Sequence, residues 1–273
     1  MSIGTYTLIK NEITWIGPHL MSWLPIVDEM VFFDGNSKDG TLDVLLEFVR
    51  RHPLGRKVKV FANKDPKNLQ DDYVLLFNEA ISQIKSDYCI FLHPDMFRVS
   101  GDFKKLGDAL AYTTTKISYG AERIDDQIYE ISEGRADKWK DVMRRRNPDL
   151  GLHYFGHYGA NNEDTYFREI TGDNHEFHGK SFDKYPYEVM DSGVVMAHFS
   201  DIRPYGRRLS RMISCLQNQG HSKIDAETIA PTHPRVTLKS GNGFSFVPVK
   251  MPDCYKDSFK DYKHFMEASA VTV

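Results

Sequence analysis

The chain has 273 residues, a formal net charge of −3, 41% hydrophobic residues and 27% charged residues. This composition is typical of one or two soluble globular domains, and the charge argues against dominant non-specific attraction to DNA or anionic lipid. We expect no transmembrane helix, because no apolar run reaches about 18 residues. The N-terminus also lacks the regions of a signal peptide. Three widely spaced cysteines indicate reduced thiols in a cytoplasmic protein rather than a disulfide framework.

Apolar periodicity predicts alternating strands and helices over the first hundred residues. The predicted strands cover residues 5–9, 28–33, 58–61 and 88–92. The predicted helices cover residues 15–23, 42–51 and 71–84. Alternation of this kind with short connections argues for a mostly parallel sheet covered by helices.

The second half has a weaker pattern. The spacing predicts a helix over 102–112, strands at 116–121 and 194–198, and a helix within the last twenty residues. The last helix has an aromatic face, which would pack on the body of the protein or on a second subunit. Residues 125–133 are mixed, and residues 232–236 are predicted to be irregular.

The predicted strand at residue 88 ends in His93-Pro94-Asp95, two potential metal ligands around a residue that cannot continue a ladder. An ordinary Pro-Asp turn is the alternative. In a parallel sheet this loop leaves at the same edge as Lys10-Asn11-Glu12 and as Asp34 with its loop. The three clusters are therefore either common polar strand ends or the lining of one ligand-binding crevice.

Three segments carry a resemblance to a known family. They are Lys10-Asn11-Glu12, residues 28–41 (DEMVFFDGNSKDGT), and residues 72–95, which include Asn78-Glu79-Ala80 and end in His93-Pro94-Asp95. In this order the segments resemble the family 2 glycosyltransferases over roughly the first hundred residues. The resemblance implies an α/β fold of the GT-A type, a Rossmann-like nucleotide-binding mixed sheet flanked by helices. It implies a single domain over 1–273, with a nucleotide-sugar-binding half at 1–100 and an acceptor-binding half with a C-terminal helical segment at 101–273.

The resemblance also implies roles for individual residues. Asp95 would be the last acid of the DxD motif and would hold Mn²⁺ or Mg²⁺ against the donor diphosphate, whose negative charge a hard cation neutralises. The late strand ends at His198, which is either a structural residue or a second metal ligand. The nucleotide-sugar-binding residues would be Leu8, Lys10, Glu12, Asp34 and His93.

Three positions depart from the family pattern. His93 replaces the first acid of the DxD motif, Gly35 replaces an acid often found after Asp34, and Phe77 replaces an arginine common just before Asn78. The change at His93 either shifts the ligand set towards nitrogen, which suits Mn²⁺, or removes one contact with the metal.

An inverting transferase needs a carboxylate base for the acceptor hydroxyl. Glu163-Asp164 resembles the family's Glu-Asp pair and predicts Asp164 as the base, with Glu176 and Asp191 as rivals and helix-capping or surface acids as the alternative. Histidines, tyrosines and glycines between residues 153 and 159 suit a sugar-binding loop. Arginines at 144–146 and 203–211 are either solvated faces or contacts for phosphate.

The function predicted is metal-dependent transfer of a sugar from a nucleotide diphosphate sugar, with a UDP-sugar favoured, to a glycan or other hydroxyl acceptor. Inversion by direct displacement is expected, and a homodimer is compatible with the aromatic C-terminal helix. Two other classes stay open. One is a catalytically silent nucleotide-sugar or carbohydrate-binding protein. The other is a sugar nucleotidyltransferase, which would usually show a Gly-rich phosphate loop near the N-terminus.

Overall fold

The structure, a computed structural model, describes residues 1–64, 76, 79–107, 111–124, 127–132, 143–145, 189–199, 205–218, 220–237 and 245–270. Its strands are β1 (Ile3–Ile9), β2 (Glu29–Asp34), β3 (Val58–Phe61), β4 (Tyr88–Phe91), β5 (Met96–Ser100), β6 (Ala111–Ile124), β7 (Gln127–Ser132), β8 (Met143–Arg145), β9 (Val189–His198) and β10 (Ser245–Lys250). Its α-helices are α1 (Ile13–Trp23), α2 (Thr41–Arg51), α3 (Tyr205–Asn218), α4 (Lys223–Ile229), α5 (Pro234–Thr237) and α6 (Asp253–Ala270). Residues 79–82 are also helical.

The first half forms a parallel sheet in the order β3-β2-β1-β4. This arrangement confirms the α/β class predicted from the alternating pattern. Strand β1 lies at the centre and is buried along nearly all of its length. The register pairs Ile9 at the end of β1 with Asp34 at the end of β2. The loops that follow these strands therefore leave the sheet at one edge, as expected.

Helices cover both faces of the parallel sheet. Helices α1 and α2 bury Ile16, Leu20, Trp23, Leu45 and Phe48 in the larger core. The second face is covered by residues from 79 to 84, where three apolar side chains pack against the alternate residues of β1 and β2. Successive side chains of a strand point to opposite faces. Strand β1 therefore contributes apolar side chains to the cores on both sides of the sheet, as a central strand does.

The second half extends the sheet with antiparallel pairs. Strand β8 lies between β4 and β6, and β6 is paired in parallel with β9. Strand β5 is antiparallel to β9, and the register places Met96 opposite His198. Strands β6, β7 and β10 continue as an antiparallel set. The path of the chain therefore brings residues near 95 and 198 together.

The predicted helix over 102–112 is wrong. Phe103–Lys105 form a 3₁₀ turn, in which Asp102 accepts a hydrogen bond from the Lys104 backbone N–H at 3.0 Å. Tyr112 already belongs to β6 and packs edge-on against the Tyr88 ring at 5.8 Å. Phe103, Leu106 and Tyr112 are buried in the core without α-helical backbone, because strand pairing overrides their spacing.

Two other expectations need correction. Residues 127–132 form a complete strand rather than a mixed segment. The segment 232–236, which was expected to be irregular, overlaps the end of the 3₁₀ turn Ala230–Thr232 and most of helix α5.

The C-terminal helix α6 packs on the body of the protein. Near its start, Tyr255 joins the rings of Trp15, Phe97 and Phe199. Near its end, Phe265 contacts Phe48 of α2 at 5.3 Å between ring centroids. The predicted aromatic face therefore has an intramolecular partner. None of the helices in the described part of the chain has both the length and the apolar character needed to cross a bilayer.

Candidate functional site

Asp95 and His198 form the centre of the candidate site. Asp95 Oδ1 and His198 Nε2 lie 3.3 Å apart, and the two side chains are 2% and 8% exposed. Asp95 follows β4 and precedes β5, whereas His198 is the last residue of β9. The antiparallel register of β5 and β9 therefore brings together two residues more than a hundred positions apart in the sequence.

The loop that carries Asp95 is held by several backbone contacts. The Phe199 N–H donates to the Asp95 carbonyl at 3.0 Å, and the Met96 N–H donates to the His93 carbonyl at 3.0 Å. The His93 N–H is 3.4 Å from the Met96 sulfur. These contacts close a tight turn over residues 93–96. The carboxylate of Asp95 therefore projects from a constrained backbone.

His93 lies beside His198. The two imidazole rings are nearly parallel, with 5.4 Å between centroids and 18° between planes, and the Phe91 ring packs edge-on against His93 at 4.6 Å. Among the described residues, no group of three or more His, Cys, Asp or Glu side chains is arranged to hold a metal ion. His93 is a stacking neighbour of His198, and Asp95 with His198 forms a pair of potential metal ligands.

Asp34 is completely buried at the end of β2. Its Oδ2 accepts a hydrogen bond from the Ser37 backbone N–H at 3.1 Å, and its backbone carbonyl accepts one from the Lys64 N–H at 2.7 Å. Its Oδ1 has no hydrogen-bond partner among the described residues. Burying a carboxylate oxygen without a hydrogen bond costs free energy. Asp34 Oδ1 is therefore a strong acceptor for a hydrogen-bond donor of a ligand.

The loops after β1 and β2 bind each other. The Asn11 N–H donates to Ser37 Oγ at 2.9 Å, and the Lys38 N–H donates to Asn11 Oδ1 at 2.8 Å. Asn11 and Asn36 adopt left-handed backbone conformations, with φ of 57° and 60°, which asparagine tolerates better than most residues. The two loops therefore form one rigid rim beside Asp34.

The other predicted nucleotide residues lie around this rim. Lys10 is exposed. Leu8 is half-buried against the apolar cluster that residues 79–84 form with β1 and β2. Glu12 is 8% exposed, and its backbone N–H donates to Thr41 Oγ1 at 2.8 Å. At Gly35 an added Cβ would lie 3.3 Å from the Ile9 carbonyl oxygen, so glycine suits the close approach of the two loops.

Asp39 has a role that the sequence analysis missed. Its carboxylate accepts hydrogen bonds from the Ile13 N–H at 3.1 Å and the Thr41 N–H at 3.0 Å, the first residues of α1 and α2. Partial burial raises the pKa of Asp39, but the hydrogen bonds from Thr41 and Ile13 outweigh it and hold the pKa below its ordinary value. One carboxylate therefore caps two helices at the rim of the site. The Asp39-Gly40-Thr41 sequence was the available signal.

His19 also went unrecognised in the sequence. It is fully buried on α1, and its Nδ1 lies 3.1 Å from the Met96 carbonyl oxygen. Burial lowers the pKa of His19 from 6.5 to about 4, against the raising effects of the Met96 carbonyl and the nearby Asp95 charge. The imidazole is therefore neutral at pH 7. Its hydrogen bond with the Met96 carbonyl explains why a polar residue is buried on an apolar face of the helix.

Several predicted residues lie elsewhere or outside the described residues. Asp164, Glu163 and Glu176 are outside the described residues, and so is Arg203. Asp191 is exposed in β9, and its Oδ1 accepts a hydrogen bond from the Gly193 N–H at 2.9 Å. Arg208 is buried, and its guanidinium donates to the Val236 carbonyl, so this arginine joins α3 to α5.

The fold and the site together define an α/β protein with a candidate ligand site at the carboxyl edge of its parallel sheet. Comparisons with protein-family models and with curated proteins find no match. Among solved structures, the chain is similar to TarS 1–349 of S. aureus, with 12% identity and a TM-score of 0.42 over 87% of this chain and 71% of that one.

Two further solved structures are similar in part. HddC from Yersinia pseudotuberculosis has 12% identity and a TM-score of 0.38, over 71% of this chain and 92% of that one. The galactosyltransferase LgtC, in complex with donor and acceptor sugar analogues, has 10% identity and a TM-score of 0.27, over 41% and 46% of the two chains. Because all three TM-scores lie below 0.5, the functional proposal is based on the site rather than on these likenesses.

Proposed function

We propose that the chain is a metal-dependent glycosyltransferase, which transfers a sugar from a nucleotide diphosphate sugar to an acceptor hydroxyl with inversion. The observation that carries the proposal is the convergence of Asp95 Oδ1 and His198 Nε2, 3.3 Å apart and both buried. The pair lies at the sheet edge where α/β proteins bind their ligands. The resemblance of the surrounding motifs to family 2 glycosyltransferases supports the same function.

The spacing of the two atoms fits a divalent cation. Asp95 Oδ1 and His198 Nε2 are 3.3 Å apart, close enough for both atoms to bind one divalent cation. One carboxylate and one imidazole suit Mn²⁺, and Mg²⁺ is often held by only one or two carboxylates together with substrate phosphates and water. Asp95 and His198 would hold the ion, and the bound ion would neutralise charge on the leaving diphosphate.

Asp34 and its rim would bind the nucleotide. Asp34 ends β2 and Asp95 follows β4, with β1 between these strands, so the ends of the two strands lie about 10 Å apart across the sheet, or two strand spacings. An extended nucleoside diphosphate can bridge this distance. The buried Asp34 Oδ1 would accept a hydrogen bond from the base or ribose, with Leu8, Lys10 and Glu12 around it, and a UDP-sugar is the favoured donor.

The reaction would be a single displacement. The acceptor oxygen forms a bond to the anomeric carbon while the bond from that carbon to the diphosphate oxygen breaks. The acceptor proton passes to a carboxylate. We propose Asp164 as that base, with Glu163 beside it.

Mn²⁺ binding and donor turnover test the proposal. Wild type is expected to bind Mn²⁺ and to hydrolyse or transfer from at least one of UDP-, GDP- and TDP-sugars only when Mn²⁺ or Mg²⁺ is present. Asp95→Asn keeps the side-chain shape and is expected to reduce Mn²⁺-dependent turnover by about 100-fold or more, since one lost electrostatic group at an active site has this effect.

Asp87→Asn is the matched control. Asp87 precedes β4 at the opposite end of the strand from Asp95, and its carboxylate binds the Ser2 N–H at 2.7 Å. This variant is expected to leave turnover unchanged. Unchanged Mn²⁺ binding and turnover in Asp95→Asn would refute the metal site.

A second candidate function is donor binding without transfer. It is favoured by the histidine at position 93 and by the presence of two rather than three potential ligands among the described residues. Isothermal titration with UDP and Mn²⁺, read together with the donor turnover assay, separates the two functions. Binding that depends on Asp95, together with no turnover of any donor, would identify a silent binding protein.

A further inference from the structure

We propose that His19, Ser22 and Trp23 of helix α1 are positioning residues for the metal ligand Asp95. They act by binding the outer edge of strand β5, which begins at the next residue. This inference rests on the proposed function, because it assumes that Asp95 holds a metal ion.

Strand β5 has one strand neighbour among the described residues, namely β9. Its other edge faces α1 instead. The Met96 carbonyl accepts a hydrogen bond from Trp23 Nε1 at 2.9 Å and lies 3.1 Å from His19 Nδ1. The Arg98 N–H donates to Ser22 Oγ at 2.8 Å.

These contacts reproduce the pattern of a strand ladder. A residue's carbonyl and the N–H two positions later point to the same side of a strand, as the Met96 carbonyl and the Arg98 N–H do. The three helix residues are spaced by three and four positions and so share one face of α1. Side chains of one helix therefore take the place of a neighbouring strand and cover an edge that would otherwise expose backbone groups.

The hydrogen position on His19 follows from its partner. A carbonyl oxygen only accepts hydrogen bonds, so Nδ1 of His19 must carry the proton in this contact. The carbonyl of Met96 has two lone pairs, and the two donors from α1 occupy both. Because His19 and Trp23 are completely buried, water does not readily replace either donor.

The consequence for Asp95 is a backbone held from both sides. On one side the Phe199 N–H binds the Asp95 carbonyl at 3.0 Å. On the other side α1 binds the carbonyl of Met96, the residue bonded directly to Asp95. A ligand must be held within about 0.5 Å of its working position, and a short aspartate side chain inherits its position from its backbone. Loss of the α1 contacts is therefore expected to weaken the metal site without removing a ligand.

Mn²⁺ alone is the probe for this inference, titrated into the full chain and followed by the EPR signal of free Mn²⁺. Trp23→Phe and His19→Phe each remove one donor to the Met96 carbonyl and keep an aromatic ring. Each variant is expected to weaken Mn²⁺ binding several-fold. The double variant is expected to weaken it by about 10- to 100-fold, the range for loss of groups that orient metal ligands.

Leu20→Ala is the control for a merely structural effect. Leu20 is completely buried on the same helix, and its apolar side chain cannot donate to Met96. This variant is expected to lower the melting temperature and to leave Mn²⁺ affinity in the folded protein unchanged. Ser22→Ala provides a milder test if the aromatic variants fail to fold, and it is expected to reduce affinity by a smaller factor.

Three outcomes overturn the inference. If the Trp23→Phe and His19→Phe variants fold and keep wild-type Mn²⁺ affinity, the α1 contacts do not position Asp95. If these variants do not fold, wild-type affinity in Ser22→Ala has the same meaning. Equal loss of affinity in Leu20→Ala shows a general effect of stability. Unchanged affinity in Asp95→Asn removes the metal site itself, and the proposed function then fails together with this inference. Loss in Asp95→Asn with no loss in the α1 variants refutes the inference alone.

Discussion

Acidification below pH 6.5 is expected to destabilise the folded protein through His19. Burial lowers the pKa of this imidazole from 6.5 to about 4, while the Met96 carbonyl and the Asp95 charge oppose the shift. Protonation would place a charge on a completely buried ring and would add an N–H at Nε2, an atom with no hydrogen-bond partner among the described residues. The unfolded chain accepts this proton without such a cost.

The magnitude follows from the two pKa values. Because the folded pKa lies below the unfolded one, the unfolded state binds more protons between pH 6.5 and about 4. The stability due to neutral His19 is therefore fully present above pH 6.5 and is lost as the pH falls towards 4. The interval of about 2.5 between the two pKa values corresponds to about 3 kcal/mol, at about 1.4 kcal/mol for each pH unit.

The assay is urea unfolding at pH 7 and at pH 4, with the free energy of unfolding extrapolated to water. Carboxylates also titrate in this range, so the informative quantity is the change in pH dependence between variants. From pH 7 to pH 4, the free energy of unfolding of His19→Phe is expected to fall by about 3 kcal/mol less than that of wild type. Trp23→Phe is the matched control, because it removes a bond to the same carbonyl without removing a titratable group, and it is expected to keep the wild-type pH dependence.

A wild-type pH dependence in His19→Phe would refute this reasoning, since His19 would then be as easily protonated in the folded state as in the unfolded one. A flattened dependence in Trp23→Phe would contradict it as well. That result would show that the hydrogen bonding of Met96, rather than the charge on an imidazole, controls the response to acid.

Two further predictions concern the helices that carry the site. Gly17→Ala is expected to destabilise the protein by about 1 to 3 kcal/mol, because the added Cβ would lie 2.5 Å from ring atoms of Tyr262; thermal melting checks it. Gly206→Ala is the control, a helical glycine at which an added Cβ would have no described residue within 4 Å, and it is expected to be neutral or slightly stabilising. Asp39→Ala removes the cap of two helices and is expected to cost about 2 kcal/mol in urea unfolding. A loss below about 0.5 kcal/mol would contradict the double cap.

Sequence periodicity predicted the parallel half of the fold well. The helix expected over 42–51 is observed as Thr41–Arg51, and the strand expected over 58–61 is observed at the same residues. In this half each apolar stripe packs directly on a neighbouring element, so the local pattern and the tertiary packing agree. The predicted helix over 71–84 is described only at residue 76 and from residue 79 onward, where residues 79–82 are helical.

Prediction failed where pairing across the sheet determines the backbone. The segment 102–112 has apolar residues at a helix-compatible spacing, yet Phe103 belongs to a 3₁₀ turn and Tyr112 to β6. Stacking of Phe103 on Trp23, with ring centroids 6.4 Å apart, requires no helix in this segment. A single sequence carries no record of which distant strand will pair with such a segment.

The candidate metal ligands could be predicted from the sequence, whereas the residues that hold them in position could not. Asp95 and His198 end strand-like runs, and polar residues at such positions are conspicuous. Trp15, His19 and Trp23 recur every four residues along α1, so a polar side chain between two aromatic ones was the available signal for His19. The sequence does not reveal that its partner is the carbonyl of Met96, because that contact depends on where β5 lies.

Helix α1 connects the two parts of the candidate site. Its first residue, Ile13, is capped by Asp39 at the rim that surrounds Asp34, and its last residue, Trp23, binds the carbonyl beside Asp95. An 11-residue helix spans about 16 Å, and a helix of this length is stiff. The distance between the proposed nucleotide and metal subsites is therefore determined by α1 as well as by the sheet. Displacement of the helix at either end would disturb both subsites.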